Sequence, residues 1–325
     1  MKRGSSLLSR GYQNHIPHFI ESFAPVTHVL NSGRSYLKYP NQINIIFHTV
    51  AKWKGDASWQ HHVLDSFLEK YEMTNGVRPK VVHPQNGADP LASGWNAFSE
   101  DSTATTWDPE SRQLNSSVNY VVCFDQLLLF PRNGFYSVSD AAFLREAVVP
   151  GGAPTTNSTV AVVNRAKTRR ISNFDQVVEE IRMITKTDPL VLTDFPEGVV
   201  AQSYLLKSIT MLVSVHGAGM SNMIFMPQRS VIVEILPYGS KHIYSFDELG
   251  RSCGHDMLHL YNLNRSLTRI DDGCRILLDT YADGENCTAM STECLVCLKA
   301  GNTTVNIQHL RSILEQLSSW RQKYN

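Results

Sequence analysis

An α/β fold built from two sequential domains is predicted by three features of the chain. Strand-like and helix-like segments alternate along most of its length, a Pro/Gly-rich linker divides it near the middle, and an apolar run in the second half feeds a glycine-rich turn. Its 325 residues suffice for two domains, since a domain usually takes about 100–200. The stretch from Pro150 to Ser158 collects Pro, Gly, Thr and Ser, which favour irregular backbone. The boundary therefore falls there, with domains over 1–150 and 151–325.

In the first domain, Ile16, Phe19, Ile20, Phe23, Val26 and Leu30 recur near helical spacing. A helix over 14–30 is expected, with Asn14 as cap, Pro17 in its first turn and a bend at Pro25. His15, His18 and Glu21 fall on a common face of it. Such a trio suits a metal site, a general base or a solvated helix face, and spacing by itself favours the solvated face. A strand over Ile43–Phe47, a helix over 58–73 burying Val63, Leu64, Phe67 and Leu68, and a short strand over 80–83 follow. The polar stretch 86–117 predicts a long loop. A strand over 118–124 and a helix over 139–149, capped by Ser139 or Asp140, complete the domain.

The second domain opens with a strand, Val160–Val163, that runs into Arg165, Arg169 and Arg170. Asn173 and Gln176 form a variant capping box ahead of a helix with Val177, Val178, Ile181 and Ile184 on one face. A strand over 189–192 and a helix over 197–208 come next. Met211 to Val215 is then an apolar run leading into His216, Gly217, Ala218, Gly219, Met220, Ser221 and Asn222. Glycines at 217 and 219 allow φ > 0 and close approach of a ligand, and the first N–H groups of the helical segment carry partial positive charge. Val231–Leu236, set between Pro227 and Pro237, is the following strand. Ligands of open α/β sheets sit at the carboxyl ends of such strands. A lone Gly-x-Gly turn is as often structural as ligand-binding. Past Tyr238 the rhythm weakens, 253–297 has an irregular pattern, and a helix is expected over 305–320.

Thirty Lys plus Arg balance thirty Asp plus Glu, so no basic field points to nucleic acid. No apolar run approaches the ~20 residues of a membrane span, and Met1 to Leu8 are too short for a signal peptide. Cysteines stand at 123, 253, 274, 287, 294 and 297. Cys294 and Cys297 have the spacing of half a zinc site, but no second pair or finger-spaced His accompanies them, which favours disulfides. Sequons at Asn115, Asn157, Asn264, Asn286 and Asn302 fit the same oxidising compartment.

The stretch from His216 to Asn222, with Pro227 and Glu234 behind it, resembles the signature of the family 61 glycosyltransferases. The segment Val160 to Asn173 is similar to that family's strand, paired arginines and helix-opening Asn. Asn14, His18, Phe19 and Glu21 resemble its opening motif. The resemblance spans roughly 12–320 and implies a GT-B fold, two Rossmann-like domains facing a cleft, the second binding a nucleotide sugar. It further implies inverting transfer from a UDP-sugar, with xylose, arabinose or N-acetylglucosamine as the sugar, to a hydroxyl of a glycan or glycoprotein. Glu21 or His18 would be the base. Arg165, Arg169, His216, Gly217, Ala218, Gly219, Ser221 and Asn222 would hold the diphosphate, with Arg170 an alternative second arginine. Glu234 would touch ribose or base, or serve as a structural carboxylate. No Asp-x-Asp occurs, so metal-independent chemistry with no cofactor is expected.

The resemblance places the protein in the Golgi or endoplasmic reticulum lumen, type II in the membrane at full length through an N-terminal anchor this chain lacks. A truncated start, without the usual first strand, is expected. Other classes fit less well. A dinucleotide oxidoreductase needs a third glycine where Asn222 stands, and a serine hydrolase needs its Ser between glycines, whereas Ser221 follows them. An inactive lumenal sugar-binding or scaffold protein of the same fold is the alternative.

Overall fold

A computed structural model of the chain describes residues 5–9, 16–32, 37, 38, 40–47, 59–82, 106–108, 113–115, 126–129, 135, 137–149, 159–239, 246–281 and 283–324. Two compact units divide it, Met1–Pro150 and Gly151–Asn325.

The first unit contains β1 (Ser5–Ser9), α1 (Ile16–Asn31), β2 (Ile43–Phe47), α2 (Trp59–Asn75), β3 (Lys80–Val82), β4 (Thr106–Asp108), β5 (Gln113–Asn115), β6 (Gln126–Leu129) and α3 (Val138–Val148). Its main sheet is parallel, in the order β3-β2-β1-β6. The expectation that this sheet lacks an early strand is corrected, because β1 precedes the first helix and pairs on both sides. Within the expected loop 86–117, β4 and β5 pair antiparallel. The strand expected over 118–124, the linker 150–158, Asn14, His15 and Cys123 lie outside the described residues.

Helices α1, α2 and α3 pack through aromatic edges, with Phe67 placed 5.2 Å from Phe23 and 5.5 Å from Phe143, ring centre to ring centre. Asp140 is fully buried yet satisfied, taking Asn31 Nδ2 at 2.9 Å, Ser137 Oγ at 2.7 Å and His28 Nδ1 at 2.9 Å. Ser137, rather than Ser139 or Asp140, caps α3 by accepting the Asp140 N–H. α1 runs through Pro25 as one helix.

The second unit contains β7 (Thr159–Val163), α4 (Phe174–Thr185), β8 (Leu190–Leu192), α5 (Val199–Leu206), β9 (Ile209–Val215), a 3₁₀ helix (Ala218–Phe225), β10 (Val231–Leu236), α6 (Asp247–Ser252), β11 (Asp256–Tyr261), a 3₁₀ turn (Arg265–Leu267), β12 (Thr268–Arg269), α7 (Asp272–Asp279), α8 (Gly284–Met290), α9 (Thr292–Ala300), β13 (Asn302–Thr303) and α10 (Ile307–Tyr324). Five parallel strands run in the order β8-β7-β9-β10-β11. The order reverses between β7 and β9, so the topological switch point of this Rossmann-like sheet lies there. With two such α/β units in sequence, the fold is of the α/β, GT-B type.

All six residues of β10 are buried, as a strand covered on both faces requires. One face carries Val213, Val215, Val231, Val233 and Ile235 against Val177 and Ile181 of α4 and Leu310, Leu314 and Leu317 of α10. Alternation sends Leu212, Ser214, Ile232 and Glu234 to the other face. Asn173 leaves no side-chain cap on α4. Instead its amide clasps Val305, accepting the N–H at 2.8 Å and donating to the carbonyl at 2.9 Å.

Contrary to its irregular pattern, the stretch 253–297 supplies β11 and α7 to α9. Disulfides join Cys274 to Cys297 and Cys287 to Cys294. They staple α9 to α7 and to α8 around a small cluster with Leu278 and Leu298, where so little apolar burial needs covalent support.

Candidate functional site

Three loops meet at the carboxyl end of the second sheet, on both sides of its switch point. β9 ends in the glycine turn, β7 in the arginine loop 164–171, and β8 in the segment bearing Phe195. Asn164 closes the arginine loop, its Oδ1 accepting the Ile171 N–H at 2.9 Å.

Proximity, not backbone twist, explains the two glycines. Gly217 has φ 163°, which is extended backbone, and neither it nor Gly219 is left-handed. A Cβ on Gly217 would lie 2.5 Å from Arg165 Nη1 and 2.8 Å from Arg169 Nη1, and one on Gly219 would lie 2.8 Å from the Phe195 ring edge. The expectation of φ > 0 at these residues is thereby corrected. What the glycines supply is room for two guanidiniums and an aromatic edge against bare backbone.

Arg169 Nη1 donates to the His216 carbonyl at 2.9 Å. Burial of this guanidinium, and then the charge of Arg165, pull its pKa down to about 10. Its Nε is buried without a partner, as are Ser221 Oγ and Asn222 Oδ1. Ser221 and Asn222 are themselves buried, whereas Ala218 and Gly219 are half-exposed. The 3₁₀ helix begins with Met220 N–H bonding to Gly217 O at 2.9 Å, so the N–H groups of 217–219 precede its first internal bond.

Behind the turn stands a buried acid. Glu234 is fully buried, and its Oε1 takes His216 Nδ1 at 2.6 Å. A carboxylate only accepts, so Nδ1 carries the proton and Nε2 is the second ring nitrogen of His216. Glu234 Oε2 accepts the Phe246 N–H at 3.2 Å. His259 Nδ1 lies 3.2 Å from Oε2, within ion-pair reach but off the line of a hydrogen bond. On its far side His259 Nε2 meets Asp247 Oδ1 at 2.9 Å, and Asp247 Oδ2 accepts Arg251 Nε at 2.7 Å. Burial pushes the Glu234 pKa up, but the two imidazoles outweigh it and hold the carboxyl below its ordinary range. Glu234, opposed by burial and helped by Asp247, holds the His259 pKa above its ordinary value.

The structure thus assembles Arg165, Arg169, His216, Gly217 and Glu234. Glu234 is enclosed, so it meets a ligand only through His216. His18 and Glu21 both fall in α1, the helix that follows β1 at the first sheet's own switch point, between β1 and β6. Their side chains lie outside the described residues. Among residues the sequence pattern did not single out are His259, Asp247, Phe246 and Phe195. His259 sits opposite Glu234 in the β10–β11 register, and Ser214 sits opposite Glu234 on the β9 side, so one polar row crosses three strands. Strand register alone joins these three residues, and local sequence pattern does not contain it.

The profile of the glycosyltransferase 61 family, described as "Glycosyltransferase 61", matches residues 16–233. The chain belongs to that family. A beta-1,2-xylosyltransferase of Oryza sativa subsp. japonica is 30% identical over 118 residues, covering 34% of this chain and 20% of the relative. An alpha-1,3-arabinosyltransferase of the same plant is 24% identical over 102 residues, 31% of this chain and 18% of its own. A protein O-linked-mannose beta-1,4-N-acetylglucosaminyltransferase 2 of Canis lupus familiaris is 24% identical over 263 residues, 75% of this chain and 42% of its own. These matches span less than half of each relative's length. Among solved structures, a family 9 glycosyl transferase from Veillonella parvula DSM 2008 aligns over 97% of both chains, with 8% identity and a TM-score of 0.39. Among the described residues, no helix is long and apolar enough to cross a membrane.

Proposed function

We propose that this chain is a glycosyltransferase that binds the diphosphate of a UDP-sugar at the carboxyl end of its second sheet and passes the sugar, with inversion, to a hydroxyl of a glycan or glycoprotein. One observation carries this reading: Arg165 and Arg169 both press on Gly217, where a Cβ would stand 2.5 Å and 2.8 Å from their Nη1 atoms. Two like charges brought together against bare backbone, one with a buried unpartnered nitrogen, call for an anion to complete them.

In this reading the departing diphosphate lies before the N–H groups of 217–219, with both arginines neutralising charge as the glycosidic bond breaks. His216 donates or accepts through Nε2, its ring fixed by Glu234. Ala218 and Gly219 line the approach, and Ser221 and Asn222 support the turn from inside, through ordered water at their unpartnered oxygens. Glu234 is a positioning residue. Glu21 or His18 of the first unit takes the acceptor proton. No metal or cofactor is required, because backbone dipoles and guanidiniums supply the positive charge. The donor sugar is xylose, arabinose or N-acetylglucosamine, after the activities of these relatives. The setting is the lumen of the Golgi or endoplasmic reticulum, consistent with two disulfides and with exposed sequons at Asn264 and Asn286.

Calorimetric titration of UDP, with and without EDTA, tests the site. Micromolar binding indifferent to EDTA and weakened by Arg165→Ala is expected; a folded chain that ignores UDP would return the protein to the scaffold class. Hydrolysis of UDP-sugars by the purified chain then separates enzyme from binder.

A further inference from the structure

The arginine loop is gripped from behind by residues more than 130 positions away. Arg170 N–H donates to Asn302 Oδ1 at 3.0 Å. Thr303 N–H donates to Arg170 O at 2.8 Å, and Ser172 N–H to Thr303 O at 2.8 Å. Arg169 N–H reaches Ala300 O at 3.4 Å. Past these, the clasp of Asn173 on Val305 closes the far end.

What they hold resists being held. Arg169 has φ 60°, a left-handed conformation that L-residues with a Cβ adopt only at a cost. Its guanidinium is partly desolvated beside the charge of Arg165. A backbone in such a state persists only where its surroundings over-determine it. Here β13 does so. It pairs with β12 through Thr268↔Thr303 and Arg269↔Asn302, and the preceding α9 is stapled at Cys294 and Cys297.

We propose that Asn302 is a positioning residue for donor binding, fixing the backbone from which Arg169 reaches the glycine turn. Its binding half rests on the diphosphate reading above; its anchoring half does not. Asn302-Thr303-Thr304 is also a sequon. A glycan would attach at Nδ2 and leave Oδ1 in place, so the two roles separate genetically. Thr304→Ala destroys the sequon alone, and Asn302→Asp removes the glycan site while keeping an acceptor oxygen.

Backbone hydrogen exchange over 164–172, without ligand, is measured beside UDP titration for the wild-type chain and these variants, together with Asn302→Ala. In Asn302→Ala, exchange over 164–172 should quicken at least tenfold with β9 unchanged, and UDP affinity should fall about tenfold, the size expected from one lost hydrogen bond. Asn302→Asp and Thr304→Ala should behave as wild type in both assays. Unchanged loop exchange in Asn302→Ala overturns the proposal, and so does a loosened loop with undiminished UDP affinity. Equal losses in Thr304→Ala would assign the effect to a glycan and overturn it too. If the wild type ignores UDP while Asn302→Ala loosens the loop, the diphosphate reading fails and the anchoring stands. Should β9 also lose protection in Asn302→Ala, Asn302→Thr, better suited to a strand, is judged by the same criteria.

Discussion

The carboxyl end of β9 has two unlike flanks. Toward β7, two guanidiniums crowd a glycine, one of them with its pKa lowered to about 10 and a buried nitrogen unpartnered. Toward β10, a fully buried carboxylate meets His216, His259 and a backbone N–H, and the chain of charges continues through Asp247 to exposed Arg251. The β10 flank sets opposite charges against one another, even though His259 Nδ1 has no hydrogen bond; the β7 flank sets like charges together. Incomplete sites are where function resides, because groups arranged for a ligand are poorly served without it. The two flanks should therefore answer mutation with opposite signatures, one in ligand chemistry and the other in stability.

The largest effect is expected on the arginine flank. If Arg165 neutralises charge on the departing diphosphate, Arg165→Ala should lower turnover about a hundredfold or more, as removal of a transition-state donor does. Initial rates of UDP release from each candidate donor measure it. A variant within threefold of wild type would show that the crowding at Gly217 is structural and erase the contrast.

On the carboxylate flank the expected loss is in folding. Glu234→Gln keeps the shape but removes the buried anion between two imidazoles, and breaking a buried ion pair costs about 3 kcal/mol. Its pH dependence has a definite sign. The depressed Glu234 pKa contributes stability present above the ordinary carboxylate value and lost as pH falls through the folded one. The raised His259 pKa contributes stability present below the ordinary imidazole value and lost as pH rises through the folded one. Both are in force together between about pH 4.3 and about pH 6.5. Denaturant unfolding should show the widest gap between wild type and Glu234→Gln in that window, narrowing on the alkaline side. A gap that widens steadily toward pH 9 would mean that Glu234 is not paired with His259.

The arginine flank was legible in sequence and much of the carboxylate flank was not. Arg165, Arg169 and His216 each follow an apolar strand closely, so local pattern sufficed to put them at strand ends. Glu234 was visible as an acid in an apolar run, but its partner His259 is 25 residues away and joined to it only by strand register, which local pattern does not contain. β11 itself escaped notice because Asp256 and His259 interrupt its apolar run. β1 escaped because Ser-Ser-Leu-Leu-Ser lacks period-two alternation; its neighbours, not its own composition, make it a strand. The glycine turn is legible as a turn, but its geometry is not, since Gly217 is extended and makes room for side chains that sequence cannot place.

The smallest effect is the most discriminating, because its sign matters more than its size. Removing an exposed or half-exposed charge usually shifts stability by less than about 0.5 kcal/mol in either direction. Arg165 is half-exposed and lies beside Arg169, whose lowered pKa records their repulsion after burial. Without ligand, Arg165→Ala should therefore melt at or slightly above the wild-type temperature, with the difference shrinking in high salt as screening weakens the repulsion. With saturating UDP the order should invert, since the wild type gains ligand-linked stability that the variant largely forgoes. A ligand-free variant that melts several degrees lower would make Arg165 a structural brace like Glu234, and the two flanks would then differ in charge but not in kind.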